Sequence, residues 1–410
     1  MKKHYYWVIL IACCFLAAMS VGICLNTAGL FFSPMAERLG VGSGASAMQA
    51  TLSGIVFGLC SPLVARLFEK ANTRMLLLSG IALTAASTAL MGLCTNIQQF
   101  YILGIIRGAS HSFYAYVPIT MLLNNWFERH HGTITGVVLS FTGIAGVVLN
   151  PLLSGLIENA GLETAYLVSG GIILVFAVPS ALLVRFHPSE LGMFPYGRTS
   201  PKTEKRPTEK NPQSRRKQMH SLSFVMICTF GVFTVFTTGL GQFLPGYAED
   251  LGTSLSFGAT LLSVAMVGNI IFKFVIGVLC DRLKPVAACT IMLIIGSGGI
   301  ALMLFGRASW AMLMGAAMFG SSYAVGAVGV PLVTRYTFGA ENYAYHFGFI
   351  NVVVNIGGKL PFAVIGFTYD LFGSYNVAFV GCIIMLLLSI LMLQMVGRAI
   401  HKGKHPEAEV

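Results

Sequence analysis

Three cations stand where a membrane-spanning segment would surround them with hydrocarbon: Arg107, Lys273 and Lys359. Each lies inside a long apolar run, and a charge at a bilayer centre costs about 2.5–3.5 kcal/mol. Unpaired, the three would cost roughly 8–10 kcal/mol, comparable with the stability of a whole fold. They need a partner or a wet cavity. None of the 15 Asp and Glu residues falls at a span centre, so no buried carboxylate is on offer. What is left is a bound anion, chloride, water or a nearby carbonyl. An anionic substrate suits these side chains, since Arg grips a carboxylate through two parallel hydrogen bonds and Lys acts as a point charge.

Neighbouring residues extend the set. His111 lies one turn below Arg107 on the same face, and Asn269 one turn before Lys273. Tyr116 is a candidate pocket residue, as are Tyr114, Asn26, Gln242, Tyr323 and Asn355, although packing or helix–helix hydrogen bonding accounts for each equally well. Snorkelling is the plain alternative for the cations. It fails for Lys273, which stands about 12 Å of helix rise from Asp281. It remains open for Arg107, nearer its helix end. Gly357, Gly358 and Pro361 flank Lys359, so the backbone there can open. A lone intramembrane His is often only hydrogen-bonded, which is the alternative to a proton relay at His111.

The elements that must position these residues are long and apolar. Of 410 residues 55% are hydrophobic and 10% charged, against about 25% charged in a soluble domain, which excludes a water-soluble fold. At about 20 residues per span the chain holds roughly a dozen spans. We place them at 5–33, 46–67, 74–94, 98–123, 132–157, 164–186, 222–247, 255–280, 286–305, 308–335, 344–369 and 375–397. The first is too long for a secretory signal and is kept as structure. The nine cysteines show no metal or redox spacing and read as small packing residues. No metal, cofactor, phosphate loop or nucleophile elbow is indicated.

Charge gives the orientation. With the N-terminus cytoplasmic, 21 of the 26 Lys and Arg fall on the inside, two outside and three within spans. Both termini are therefore expected in the cytoplasm, of a cell whose inner or plasma membrane holds the protein. The net charge of +11 is then a topology signal and not a nucleic-acid footprint. The polar stretch 187–221 cannot bury a core and divides the chain. We expect an N-terminal six-helix bundle at 1–189, a cytoplasmic linker at 190–220, a C-terminal six-helix bundle at 221–398 and a tail at 399–410. The halves repeat weakly: Phe32-Ser-Pro34 with Glu37 to Gly40 recurs as Phe243-Leu-Pro245 with Glu249 to Gly252, and Gly161 recurs as Gly373. Such parallel repeats put a substrate site between the halves near the midplane.

These features resemble the major facilitator superfamily, and within it the branch of oxalate:formate antiporters and monocarboxylate porters. The run Asn125-Trp126-Phe127-Glu128-Arg129-His130-His131-Gly132 to Gly136 is similar to that branch's WFxxxRGxAxG signature. Pro188 to Gly197 resembles its PExxGxxPxG tail, and Gly277 to Asp281-Arg282 resembles the superfamily's GxxxDR loop. The first-half copy of that loop ends Ala65-Arg66, with Ala in place of Asp, which weakens a salt-bridged gate there; Glu69 is a substitute. His131 stands where the branch usually has Arg. The resemblance implies twelve helices in two pseudo-symmetric bundles, with Asp281, Arg282 and Arg66 as gating-loop residues. It also implies that helices four, eight and eleven, which carry Arg107, Lys273 and Lys359, line the cavity. Lys273 falls where the branch's eighth helix commonly has a substrate-binding Arg. Asn269 stands where proton-coupled porters commonly have Asp, which weakens a proton-coupled mechanism because Asn carries no proton.

The sequence thus points to an all-α secondary transporter, a monomer in the bilayer, moving a small mono- or dicarboxylate by alternating access, with anion exchange first. The alternatives are a proton-coupled monocarboxylate symporter using His111, and a transporter-like sensor that binds a solute without turnover. An enzyme is disfavoured by the lack of a nucleophile–base or metal constellation.

Overall fold

A computed structural model describes residues 5–128, 131–197 and 221–404. Among the described residues it is almost entirely helical, with turns between the helices and one isolated bridge between Phe127 and Tyr196. The helices are α1 (Tyr5–Ala17), α2 (Phe32–Leu39), α3 (Ser43–Lys70), α4 (Thr73–Met91), α5 (Ile97–His111), α6 (Tyr116–Trp126) and α7 (His131–Leu183). They continue as α8 (Leu222–Thr238), α9 (Leu244–Asp250), α10 (Leu255–Arg282), α11 (Pro285–Phe305) and α12 (Ser309–Ala324). The last are α13 (Val330–Gly357), α14 (Leu360–Phe372) and α15 (Asn376–Lys404).

Among the described residues ten helical stretches are long and apolar enough to cross a membrane. One of them, Ile134–Leu183, bends at Gly161 (φ 85°) and holds two spans. The pair α5 and α6, each too short alone, supplies the last of twelve. The expected spans are recovered, with punctuation that local chemistry explains. Asn72 caps α4 by accepting from the Arg74 and Met75 amides, and Asn96 caps α5 through the Gln99 amide. Gly40 and Gly252, matched in the two halves of the sequence, both take left-handed backbone (φ 62° and 77°), as do Gly161 and Gly373 (φ 85° and 63°).

Spans break at matching places too. The first is interrupted by a π-turn at Ala18–Ile23 and a 3-10 turn at Ala28–Phe31, and α8 passes through a 3-10 turn, Gly239–Phe243, into α9. The chain between α5 and α6 is non-helical, and α12 runs into a π-turn at Val325–Gly329. The 3-10 turns start 211 positions apart and the α5–α6 break lies about that far from the π-turn at Val325–Gly329, while the π-turn at Ala18–Ile23 has no counterpart in α8; inside a membrane irregular backbone is tolerated where it is buried in protein or lines a cavity.

The chain forms two compact units: Met1–Lys205 with Gln242–Ser263, and Arg206–Gly241 with Val264–Val410. Residues 242–263, which the sequence assigns to the second bundle, group with the first unit, and Ala259 sits in its apolar core. In that unit glycines set the helix spacing. A side chain at Gly108 would collide with the Ser53 backbone, and one at Gly22 with Ala145. In the second unit Gly268 and Gly320 bring α10 and α12 into backbone contact, and Ser321 Oγ donates to the Met292 carbonyl across to α11 (2.8 Å).

The two motifs near Trp126 and Tyr196 meet. The last turn of α7 leaves carbonyls without intrahelical donors. Side chains serve them and the residues that follow: Tyr5 Oη donates to Leu183 O (2.6 Å), Arg74 Nε to Val184 O (3.1 Å), Trp126 Nε1 to Arg185 O (2.8 Å) and Asn125 Nδ2 to Phe186 O (3.1 Å). Tyr196 N–H then donates to Trp126 O (2.8 Å), and Glu128 N–H to Tyr196 O (3.0 Å). This clasp gives both motifs a structural use.

Candidate functional site

Arg107 is buried in the first unit, at 7% exposure, on α5 facing α3. It faces α3 because Gly104 and Gly108 flank it on α5, and a side chain at either would strike Gln49 or Ser53. Its Nη2 donates to Gln49 Oε1 at 3.3 Å, while its Nε and the Gln49 Nε2 find no acceptor among the described residues. Cys24, Tyr114 and Tyr166 lie within its electrostatic reach. No Asp or Glu is buried among the described residues, so no protein carboxylate neutralises this guanidinium. His111, one turn on, is buried as well, stacked on Phe57 (4.9 Å between ring centres) and edge-on to Tyr114 (5.8 Å).

In the second unit Lys273 lies on α10 and is half-buried, with no hydrogen bond or ion pair to a described residue. One turn earlier Asn269 is 5% exposed and its Oδ1 has no donor among the described residues. It is enclosed because α12 approaches α10 at Gly320, whose absent side chain leaves room for the Asn269 backbone. Lys359, also half-buried, occupies the break between α13 and α14, with Lys359 N–H donating to Ile356 O (3.1 Å). Gly357 and Gly358 let that break pack on Val232 and Val235 of α8, and Pro361 packs on Gly239. The structure therefore brings Arg107 and His111 together in one unit, and Lys273 and Asn269 together in the other, where Lys359 also lies.

Tyr116 opens α6 and is 38% exposed. The remaining polar candidates are occupied within the fold. Asn26 Nδ2 donates to Thr142 O (2.9 Å), Tyr323 Oη to Thr238 O (2.7 Å) and Asn355 Nδ2 to Asn351 O (2.8 Å), while Gln242 Oε1 accepts from the Gly29 amide (2.9 Å). Arg66 and Arg282 are exposed; the side chains of Asp281, Glu69 and His131 lie outside the described residues, as do Arg129 and the linker residues 198–220. Gln49, the partner of Arg107, escaped the sequence reading because a neutral residue inside a span carries no charge signal. Its cue was Gly104 and Gly108 on the face of Arg107.

A twelve-span helical fold with interrupted spans and cations inside the membrane is that of a secondary transporter. Comparison with known proteins gives its family. The sequence profile described as Major Facilitator Superfamily matches residues 11–360 and 225–409, and the chain belongs to that superfamily. It is 24% identical over 388 residues to monocarboxylate transporter 13 of Rattus norvegicus, covering 91% of this chain and 85% of that one. An MFS-type transporter of Aspergillus niger, pynF, is 24% identical over 272 residues, 63% of this chain and 57% of the relative. Among solved structures, the inward-facing, unoccupied form of a bacterial homolog of the human lysosomal transporter Spinster superposes with a TM-score of 0.78 at 14% identity, covering 98% of both chains.

Proposed function

We propose that this membrane transporter carries a small organic anion, a mono- or dicarboxylate, by alternating access, and that it works as an anion exchanger. The observation behind this is the set of cations within the spans, one of them deeply buried, with no buried carboxylate beside them among the described residues. A bound carboxylate neutralises such cations, and neutralisation lowers the cost of moving the loaded site through the membrane. Arg107, Lys273 and Lys359 supply the charge, and His111, Asn269 and Tyr116 complete the polar surface. Arg66, Asp281 and Arg282 act at the cytoplasmic loops, with both termini on that side, in a monomer of two bundles joined through 190–220. The relatives named as monocarboxylate transporters support the substrate class.

A second reading, proton-coupled symport, has one observation in its favour. His111 is a buried titratable group within one turn of Arg107. Uptake of a labelled carboxylate panel into proteoliposomes separates the two. Exchange needs internal counter-anion and ignores a proton gradient; symport runs into anion-free vesicles when the outside is acidified. No uptake of any carboxylate would refute the substrate class.

A further inference from the structure

We propose that the first unit binds a monatomic anion of the halide class between α3, α4 and α5, on donors that the fold leaves without acceptors. These are the Arg107 guanidinium, Gln49 Nε2, Ser46 Oγ and Thr88 Oγ1. All four residues are more than nine-tenths buried, and Arg107 Nε and the other three atoms have no hydrogen-bond partner among the described residues. One buried polar atom left unpaired is costly, and four in one region need a common acceptor.

Helix register brings the four together. Gly104 faces the Gln49 side chain and Gly108 the Ser53 backbone, so α3 and α5 run side by side in one direction. Gly80 faces Phe113, and Thr84 Oγ1 meets Ser110 Oγ at 2.8 Å. The helix α4 therefore runs against α5, and Thr88, one turn beyond Thr84, falls level with Arg107. On α5 Arg107 stands between the α3-facing glycines and the α4-facing Ser110, and so points between the two neighbours. Its side chain leans toward the start of α5, where Nη2 donates to Gln49 Oε1 (3.3 Å) and fixes Nε2 as the free donor of that amide. Ser46 lies one turn ahead of Gln49 on the same face, in the first turn of α3, whose positive end attracts an anion. Chemistry then names the class. Guanidinium, amide and hydroxyls all donate here, and no Asp or Glu is buried among the described residues, so a metal cation meets repulsion and no carboxylate. A sphere accepts from donors arriving on three helices, whereas a flat carboxylate asks for two parallel donors on one side chain. Halide and carboxylate would compete for the charge of Arg107; that consequence rests on the transport reading, and the halide site does not.

The test is thermal unfolding of the full chain in lipid nanodiscs, with sodium chloride or bromide titrated against sodium methanesulfonate at constant ionic strength and no carboxylate present. Chloride and bromide are expected to raise Tm along a saturating curve. Ser46→Ala and Thr88→Val should each weaken the apparent halide affinity about tenfold, the loss of one hydrogen bond to an ion. Arg107→Met should abolish the response, and Lys273→Gln should leave it unchanged. A response that does not saturate, or none, overturns the proposal and leaves these donors to water. So does a response that either hydroxyl variant leaves at full strength, or one that Lys273→Gln removes, which would seat the halide at the lysines. Should Arg107→Met fail to fold, the two hydroxyl variants decide alone. Carboxylate uptake into proteoliposomes is read separately, so failure of the halide site and failure of the transport reading are distinguishable.

Discussion

The two units hold their charge differently. In the first, Arg107 is sealed between α5 and α3, tied to Gln49 and set by two glycines that fix the helix spacing. In the second, Lys273 and Lys359 are half-buried, one on a continuous helix and the other in a helix break. A planar guanidinium in a tight slot is a fixed charge, whereas an ammonium on a four-carbon stem follows its ligand. Under the proposed function this difference divides the labour, with Arg107 setting the field and the lysines making the adjustable contacts.

That contrast can be broken in several ways. Gly108→Val puts a side chain into the Ser53 backbone and should force α3 from α5, costing about 3 kcal/mol or more and abolishing a monodisperse, folded peak in size-exclusion chromatography. Lys273→Gln removes an adjustable contact and should weaken carboxylate binding by about 2 kcal/mol, roughly thirtyfold, read by isothermal titration. Arg107→Met tests the fixed charge. It should leave the unloaded chain as stable or raise its stability by about 1 kcal/mol, because an unneutralised buried cation is removed, yet abolish carboxylate-induced thermal stabilisation. A fall in unloaded stability larger than loss of the Gln49 bond explains, more than about 3 kcal/mol, would mean that Arg107 has a protein partner for its charge after all. Gly358→Ala, which presses a methyl on Val235 where the helix breaks, should cost about 1 kcal/mol in thermal melts and slow turnover without changing affinity.

The spans were legible in the sequence because apolar runs and their Gly, Pro and charged punctuation are local signals, and so were the cations within them. The breaks were not. The π-turn at Ala18–Ile23 carries no proline, and the non-helical residues between α5 and α6 are explained by Pro118 only once it is seen that its missing N–H and its ring fall on the Tyr114 carbonyl four residues earlier. The clasp was equally hidden: Trp126 and Tyr196 each sit in a recognisable motif, but nothing in either motif says that the two pair across 70 residues. Gln49 shows the same limit at the candidate site, since a contact across two helices is written in no single stretch of chain.

Gly29 has a consequence for whoever wishes to capture this protein in one shape. A Cβ on that residue would fall inside the Gln242 carbonyl, so even alanine cannot be seated while Gly29 and Gln242 stay in contact. One methyl group there acts as a doorstop, and each 1.4 kcal/mol of crowding moves the balance of conformers about tenfold. A library screened for binders against Gly29→Ala in parallel with the parent chain would sort them by the conformer they recognise.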